Sequence, residues 1–486
     1  MDTAEQLAPP VVAVMVVHEP DLWFDEVLTS LEQQDYPNLR VLVLVTGEPG
    51  DVPEQVRSRV PRALVRSVAG NPGFAAAANE ALRLVEGDNG FFCFLHDDVA
   101  LASDAVRVLV EELFRSNAGV VGPKLLAWHT PTVLSHVGLA VDQFGEIDPI
   151  VEPGETDQEQ HDGVADVFAV SSACLLVRAD LFRTLGGFDD RIEYHGEAVE
   201  LCWRAHHSGA RVLVVPSAKG RHIGALEQRQ PDLRHTTMRE ANRMRTVATL
   251  TGARRLPWVM LKLTVLTLAE FVVGVLSGHA AQGWAAVRGL FGLIPQVPTI
   301  VARRRELVST RRVPDSEVAG LQLSGSARLR TYLRARDARP DHRDHTQPWR
   351  ERAGVGAAAV WIGLVFAVLL GSRHVISDGS AHVGQFLPYD SSATHLLRTF
   401  ASGWNARELG VSSANPTGLA LVGIASVVTL FHMGALHTLG IIGALVVGPL
   451  GMWRVTRGFS SRRARLATLL VYAALPLASQ AISVGR

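Results

Sequence analysis

The sequence predicts an α/β domain, its sheet parallel and buried on both faces, followed by α-helices that meet a membrane. Three observations carry this reading. Short Val-rich runs alternate with helical patterns as far as residue 250, long apolar stretches follow, and an Arg-rich segment divides those stretches. A chain of 486 residues is long enough for two or three domains with real cores.

Taken in order, "VVAVMVV" (11–17) and "VLVLV" (41–45) are continuous apolar runs of strand length. Between them "DLWFDEVLTSLEQQDY" carries Leu22, Val27, Leu28 and Leu31 at helical spacing. Strand, helix and strand in so short a span make a βαβ unit, hence a parallel sheet. Tyr36-Pro37-Asn38 supplies the turn into the second strand. The alternation continues through the strand "ALVRSV", the helix "GFAAAANEALRLV", the strand "FFCFLH" and the helix "SDAVRVLVEELFRS", with Ser103 as N-cap. "VFAVSSACLLVRADLF", a helix over 197–207 closed by Ser208-Gly209, and the strand "RVLVVP" complete a domain over 1–250.

Beyond it, 256–276 is apolar but holds Lys262 and Glu270, and 284–301 holds Arg288, Pro295 and Pro298. Residues 251–301 therefore predict interfacial helices or a hairpin at a membrane surface. Residues 302–352 form an Arg-rich cytoplasmic linker able to attract anionic lipid. The segment 353–372 has no charge and is expected to span the bilayer. Further candidates are 417–431, 438–453 and 466–485, so 353–486 is expected as a polytopic region, truncated because the chain stops after an apolar run. If all four cross, the basic loop "RVTRGFSSRRAR" (454–465) falls outside, against the positive-inside rule. The short segment 417–431 is the one expected not to cross. These features predict a multi-pass membrane protein with its α/β domain cytoplasmic.

A formal net charge of −1 gives no footprint for nucleic acid. Cys93, Cys174 and Cys202 stand singly among apolar neighbours, which argues against a disulfide framework or zinc site and suits a reducing compartment. No basic region followed by an apolar core opens the chain, so no signal peptide is expected.

Four pieces carry chemistry. At the end of the first strand, His18 and Glu19 would face a ligand, because open α/β sheets bind at the carboxyl ends of their strands. In "NPGFAAAANEAL", Gly73 allows close backbone approach, and Asn71 and Asn79 offer amides near a helix start. "FFCFLHDDVAL" delivers His96, Asp97 and Asp98 to a strand end, where hard oxygen ligands can hold a divalent cation against a diphosphate. In "EYHGEAVELCWRAHHSGARV", Glu197 and Glu200 open a helix; Glu200 and Arg204 stand at i,i+4 as an ion pair, leaving Glu197 free to take a proton from an attacking hydroxyl. His222, in "VPSAKGRHIGAL", is a further metal-ligand candidate. Each piece also has a plain structural reading, as a polar turn, a packed helix or a solvated acidic loop.

Together, "SLEQQDYPNLRVLVLV", "NPGFAAAANEAL", "FLHDDVAL", "SNAGVVGPKLL", "LVRADLFRTLGGFDD" and "GEAVELCWRAHHSGARV" resemble, in order, the motifs of family 2 inverting glycosyltransferases of GT-A (Rossmann-like) fold. The resemblance implies a nucleotide-diphospho-sugar donor, Mn²⁺ or Mg²⁺, and single displacement by an acceptor hydroxyl. It places Asp97 near the ribose and Asp98 and His222 on the metal. Thr46 stands where the family usually has an Asp that helps read the nucleobase, and His96 where an Asp or Asn is common. The family's acidic pair appears as Glu197-Ala198, so its usual base is an alanine here. Either Glu197 is the base, or the domain binds donor as a scaffold without efficient transfer. A third reading is a peripheral lipid-binding protein. The carboxyl-terminal part more faintly resembles polytopic actinobacterial cell-wall glycosyltransferases, which would cast Asp378 or Asp390 as an acid in an external loop. The expected partners are the donor, a lipid-linked or cell-envelope glycan acceptor, and membrane lipids.

Overall fold

The computed structural model describes residues 8–277, 280–325, 327, 351–378, 392–405, 411–412, 417–429, 431–456 and 462–475. The Val-rich runs are strands. Along β1 (Val11–Val17), residues Val11, Ala13, Met15 and Val17 enter one core and Val14 and Val16 the other. That period of two, with both faces covered, is why the run is apolar throughout. The remaining strands of this unit are β2 (Leu39–Thr46), β3 (Leu64–Val68), β4 (Phe91–His96), β5 (Val99–Leu101), β6 (Val120–Ala127), β7 (Leu134–His136), β8 (Leu139–Val141), β9 (Ile147–Pro149), β10 (Ala165–Asp166), β11 (Cys174–Arg178) and β12 (Val212–His222).

The sheet runs β10-β12-β6-β11-β4-β1-β2-β3, with β5 added on β12 and β7 on β6. Strands β3, β2, β1 and β4 are parallel, as expected. The expectation of a wholly parallel sheet is corrected at β11, which lies antiparallel to both β4 and β6. Parallel neighbours need a crossover, usually a helix. Between β6 and β11 the described chain makes only short strands and turns, so it re-enters the sheet from the opposite end.

Two local expectations change as well. The helix after Ser103 starts at Ala105, and the Ser103 carbonyl accepts from the Asp35 amide at 2.9 Å instead of capping. The "GFAAAANEALRLV" helix breaks at Asn79 into Phe74–Ala78 and Glu80–Leu84.

One face of the sheet is covered by helices Phe24–Glu32 and Ala105–Ser116. The other is covered by helices Ala179–Leu185 and Glu197–His207, and by residues beyond 250, among them Val259, Leu263, Leu293, Ile300 and Leu307. Arg245, paired with buried Asp189, also reaches Gln296 and Thr299, and Arg304 donates to the Ala248 carbonyl.

The chain divides into two compact units, one formed by residues 1–275 and 279–343, the other by 276–278 and 344–486. The second contains helices Glu351–Gly371, Ala393–Ser402, Thr417–Ala425, Met433–Val455 and Arg462–Ala474, with Trp361, Trp453 and Leu469 at its centre. Thr417–Ala425 has nine residues, shorter than a bilayer crossing. Among the described residues, Gly283–Glu306 and Met433–Val455 are long and apolar enough to cross a membrane. Asp378 is exposed, and Asp390 lies outside the described residues.

Arg204 ties the Glu197–His207 helix to the loop before it. Its guanidinium is bidentate on Glu200 and donates to the carbonyls of Leu185 and Gly187, each at 2.8 Å, with both side chains 1% exposed. Glu200→Ala is expected to strand that charge and lower stability by about 3–5 kcal/mol, measured as a lower unfolding midpoint of the whole chain. Asp25→Ala, which breaks the exposed Arg59–Asp25 pair, should cost about 1 kcal/mol or less.

Candidate active site

Parallel strands end on the same edge, so β1, β2 and β4 deliver His18, Thr46 and His96-Asp97-Asp98 to one place. The antiparallel β11 contributes its beginning there, with the Ala173 carbonyl accepting from the His96 amide at 3.0 Å. Ser171 and Ser172 thereby join the same edge. Pairing of β12 with β5 sets His222 opposite Val99 and thus beside Asp98. These groups open on a cavity of about 310 Å³ that also meets Asn71, Gly73, Tyr194, Glu197 and Arg229.

His96, Asp98 and His222 each offer a ligand atom within 4.8 Å of the other two. From Asp98 Oδ1 the nearest imidazole nitrogens are His222 Nε2 at 3.4 Å and His96 Nδ1 at 3.8 Å. Asp98 Oδ1, His222 Nε2 and His96 Nε2 are all buried without a hydrogen-bond partner. The other carboxylate oxygen, Oδ2, accepts from the Ala225 amide at 3.1 Å. Burial works against the Asp98 carboxylate, yet His222, His96 and Arg229 outweigh it and hold its carboxyl well below the usual range. Burial pushes His96 down to about 4, so its imidazole is neutral at physiological pH and keeps a free lone pair. This donor set fits a divalent cation.

Asp97, 3% exposed, is occupied differently. It accepts from the His18 amide at 3.0 Å and from Arg229 Nη1 at 2.9 and 2.8 Å. Arg229 also donates to the His18 carbonyl at 2.9 Å, while its Nε is buried and unpaired. The His18 ring bridges strand ends. Thr46 donates its hydroxyl to the Val17 carbonyl, so Thr46 Oγ1 accepts from His18 Nδ1 at 3.1 Å, and Nε2 then accepts from the Asn71 amide at 3.1 Å. Asn71 Oδ1 in turn accepts from the Tyr194 hydroxyl at 2.8 Å.

Glu197 lines the cavity and Ala198 packs in the hydrophobic core. The backbone makes that assignment. His195 and Gly196 both lie in the left-handed region, at φ 63° and 114°, and turn the start of the helix so that position 197 meets the cavity. Gly73 serves the same loop: a Cβ there would approach the Glu193 backbone to 2.6 Å, and the adjacent Phe74 amide bonds to the Glu193 carbonyl. Burial raises the Glu197 carboxyl above its ordinary value, against hydrogen bonding from Ser172 and from the Gly196 and Glu197 amides. Its Oε2 is buried without a partner.

Two expected site residues fall elsewhere. Glu19 is exposed, turned outward with φ 47°, and does not line the cavity. Asn79 pins a loop, donating to the Phe188 carbonyl at 3.0 Å and accepting from its amide at 2.8 Å. In the other direction, sequence reasoning did not place His96 with the metal pair, nor find Arg229, Tyr194 or Ser172. His96 had a signal, since it stands two residues from Asp98. Arg229, in the short helix Leu226–Arg229 after a turn, had none.

Residues 12–186 match the family model described as glycosyl transferase family 2. The chain is 28% identical over 235 residues to the O-antigen biosynthesis protein RfbC of Myxococcus xanthus, covering 45% of this chain and 18% of that protein. It is 26% identical over 225 residues to the pre-mycofactocin glycosyltransferase of Mycobacterium tuberculosis, covering 43% of this chain and 44% of the relative. Thus it spans less than half the length of either. Among solved structures, GalNAc-T7 with UDP, GalNAc and Mn²⁺ overlays with a TM-score of 0.41 at 15% identity, covering 50% of this chain and 48% of that one. The family match and the relatives support a family 2 glycosyltransferase domain in the amino-terminal unit.

The buried Glu197 carboxyl has a consequence for stability. As pH rises through about 4.5 the unfolded chain releases this proton first, so folding loses stability until pH passes the higher folded value. Glu197→Gln removes that penalty. The variant should match wild type in unfolding midpoint at pH 4 and unfold at higher temperature at pH 7 to 8.

Proposed function

We propose that this chain is a membrane-attached inverting glycosyltransferase. It moves a sugar from a nucleotide-diphospho-sugar to a hydroxyl of a lipid-linked or cell-envelope glycan acceptor. The observation that carries this reading is the meeting of the His96–Asp98–His222 group and Glu197 around one cavity at the strand ends.

Asp98 and His222 would hold a divalent cation, which would supply positive charge to neutralise the diphosphate as leaving group. Asp97, Thr46, His18 and Asn71 would bind the nucleoside end of the donor. Arg229, now on Asp97, brings a second positive charge to the same crevice. Glu197 takes the proton of the acceptor hydroxyl as the new glycosidic bond forms and the bond from the anomeric carbon to the diphosphate oxygen breaks. Its burial makes it a stronger base than an exposed carboxylate. One base and one displacement imply inversion.

Membrane attachment is supported by an unpartnered apolar stripe. Trp258, Leu261, Val265 and Leu268 recur at helical spacing and are all exposed, and Phe291, Ile294, Val297 and Val301 repeat the pattern on the following helices. Insertion of these residues into a bilayer surface would confine the enzyme with a lipid-linked acceptor and raise its effective concentration. The α/β unit then faces the cytoplasm, where nucleotide-sugars are supplied.

The full chain, purified in detergent and given Mn²⁺ and UDP-, GDP- or dTDP-sugars, should bind at least one donor and transfer from it. Glu197→Gln should lower kcat by roughly 10²–10⁴-fold while leaving donor affinity unchanged. Ala198→Asp should not raise activity, because its carboxylate would enter the core. A wild type that binds donor and never transfers, joined to an active Ala198→Asp, would establish the scaffold reading instead.

A further inference from the structure

The His96–Asp98–His222 cluster combines two imidazoles with one carboxylate, and these donor types bear on which ion it would take. His96 and Asp98 stand two residues apart at the end of β4, and His222 arrives from β12 through its pairing with Val99. Three polar atoms, one on each residue, are buried without hydrogen-bond partners. A buried polar atom left unpaired costs stability, and each of these residues brings one to a cluster whose ligand atoms lie within 4.8 Å of one another. His96 turns Nδ1 towards Asp98 Oδ1 at 3.8 Å, and His222 turns Nε2 towards the same oxygen at 3.4 Å. His96 is held for the part by packing, its ring edge-on to Phe74 with centroids 4.7 Å apart, and not by a hydrogen bond that would occupy its nitrogens. His136 stands behind, 5.9 Å from the His222 ring.

Resting on the glycosyltransferase reading above, we propose that His96 is a metal ligand with Asp98 and His222, and that this two-imidazole, one-carboxylate set selects Mn²⁺ or a later first-row ion over Mg²⁺. The physical reason is donor softness. Mg²⁺ demands hard oxygen ligands in a near-ideal octahedron and gives up water reluctantly. Neutral imidazole suits transition ions, with affinity rising from Mn²⁺ to Co²⁺. An Asp at position 96 would make the set oxygen-rich and remove the distinction, so this one residue sets the ion preference.

The test is metal binding by the full chain in detergent, independent of turnover. Titration calorimetry is expected to give affinities in the order Mg²⁺, Mn²⁺, Co²⁺, with Mn²⁺ at least tenfold above Mg²⁺. Pulsed electron paramagnetic resonance of the Mn²⁺-loaded chain should show coupling to two imidazole nitrogens. His96→Ala should lower Mn²⁺ affinity at least about tenfold, the low end of what even outer-sphere changes cost, and leave one coupled nitrogen. His96→Asp, which keeps a ligand and so guards against misfolding, should retain Mn²⁺ and gain Mg²⁺. Equal affinities for Mg²⁺ and Mn²⁺, a single coupled nitrogen in wild type, or no cation binding at all would overturn the proposal. Donor binding measured alongside separates the two readings. If nucleotide-sugar binds but His96→Ala leaves Mn²⁺ affinity intact, only the ion assignment falls. If no nucleotide-sugar binds with any cation, the transferase reading falls, and the spectra still decide the ligand set.

Discussion

A carboxylate taken out of water at the end of an apolar strand must meet positive charge or donors, and Asp98 organises its surroundings around that demand. The residue is 1% exposed, stands two positions beyond a strand whose first five residues are buried, and has one oxygen satisfied by a backbone amide and one left open. Two imidazoles and a guanidinium lie close by, yet none closes a hydrogen bond on the open oxygen. The neighbouring Asp97 meets the same demand differently, through Arg229 and the His18 amide. Two adjacent acids therefore have separate electrostatic fates, one quenched by a guanidinium and one with an oxygen left open.

Topology makes this possible. Four parallel strands place their carboxyl ends on one edge, and the reversal at β11 adds an amino end to the same edge. Serines preceding β11 and a histidine ending β12 thus reach groups that a purely parallel sheet would have kept apart. The loop carrying Glu197 is held against this edge by the Gly73 contact and by the Arg204 anchor behind it. Both supports are structural, and together they hold Glu197 at the cavity.

Much of this was legible along the chain. Continuous Val runs announce strands buried on two faces, and "FFCFLHDDVAL" shows that a buried strand ends in acids. The acidic helix start at 197–200 announced both the Glu200–Arg204 pair and a spare carboxylate. Asn79 misled because a helix-start amide reads the same whether it faces a ligand or a neighbouring loop. Glu19 misled because the αL turn that swings it outward leaves no mark in its residue type.

Sequence by itself determined the strand faces, the acid-bearing strand end and the apolar helices beyond residue 250, because burial and periodicity are properties of local order. Tertiary structure alone decided that His96 joins His222, that Arg229 crosses to Asp97, and that position 197 rather than 198 meets the cavity. Those outcomes depend on strand register and on two left-handed residues, His195 and Gly196. Register is set by pairing between segments more than 100 residues apart, which no local pattern encodes.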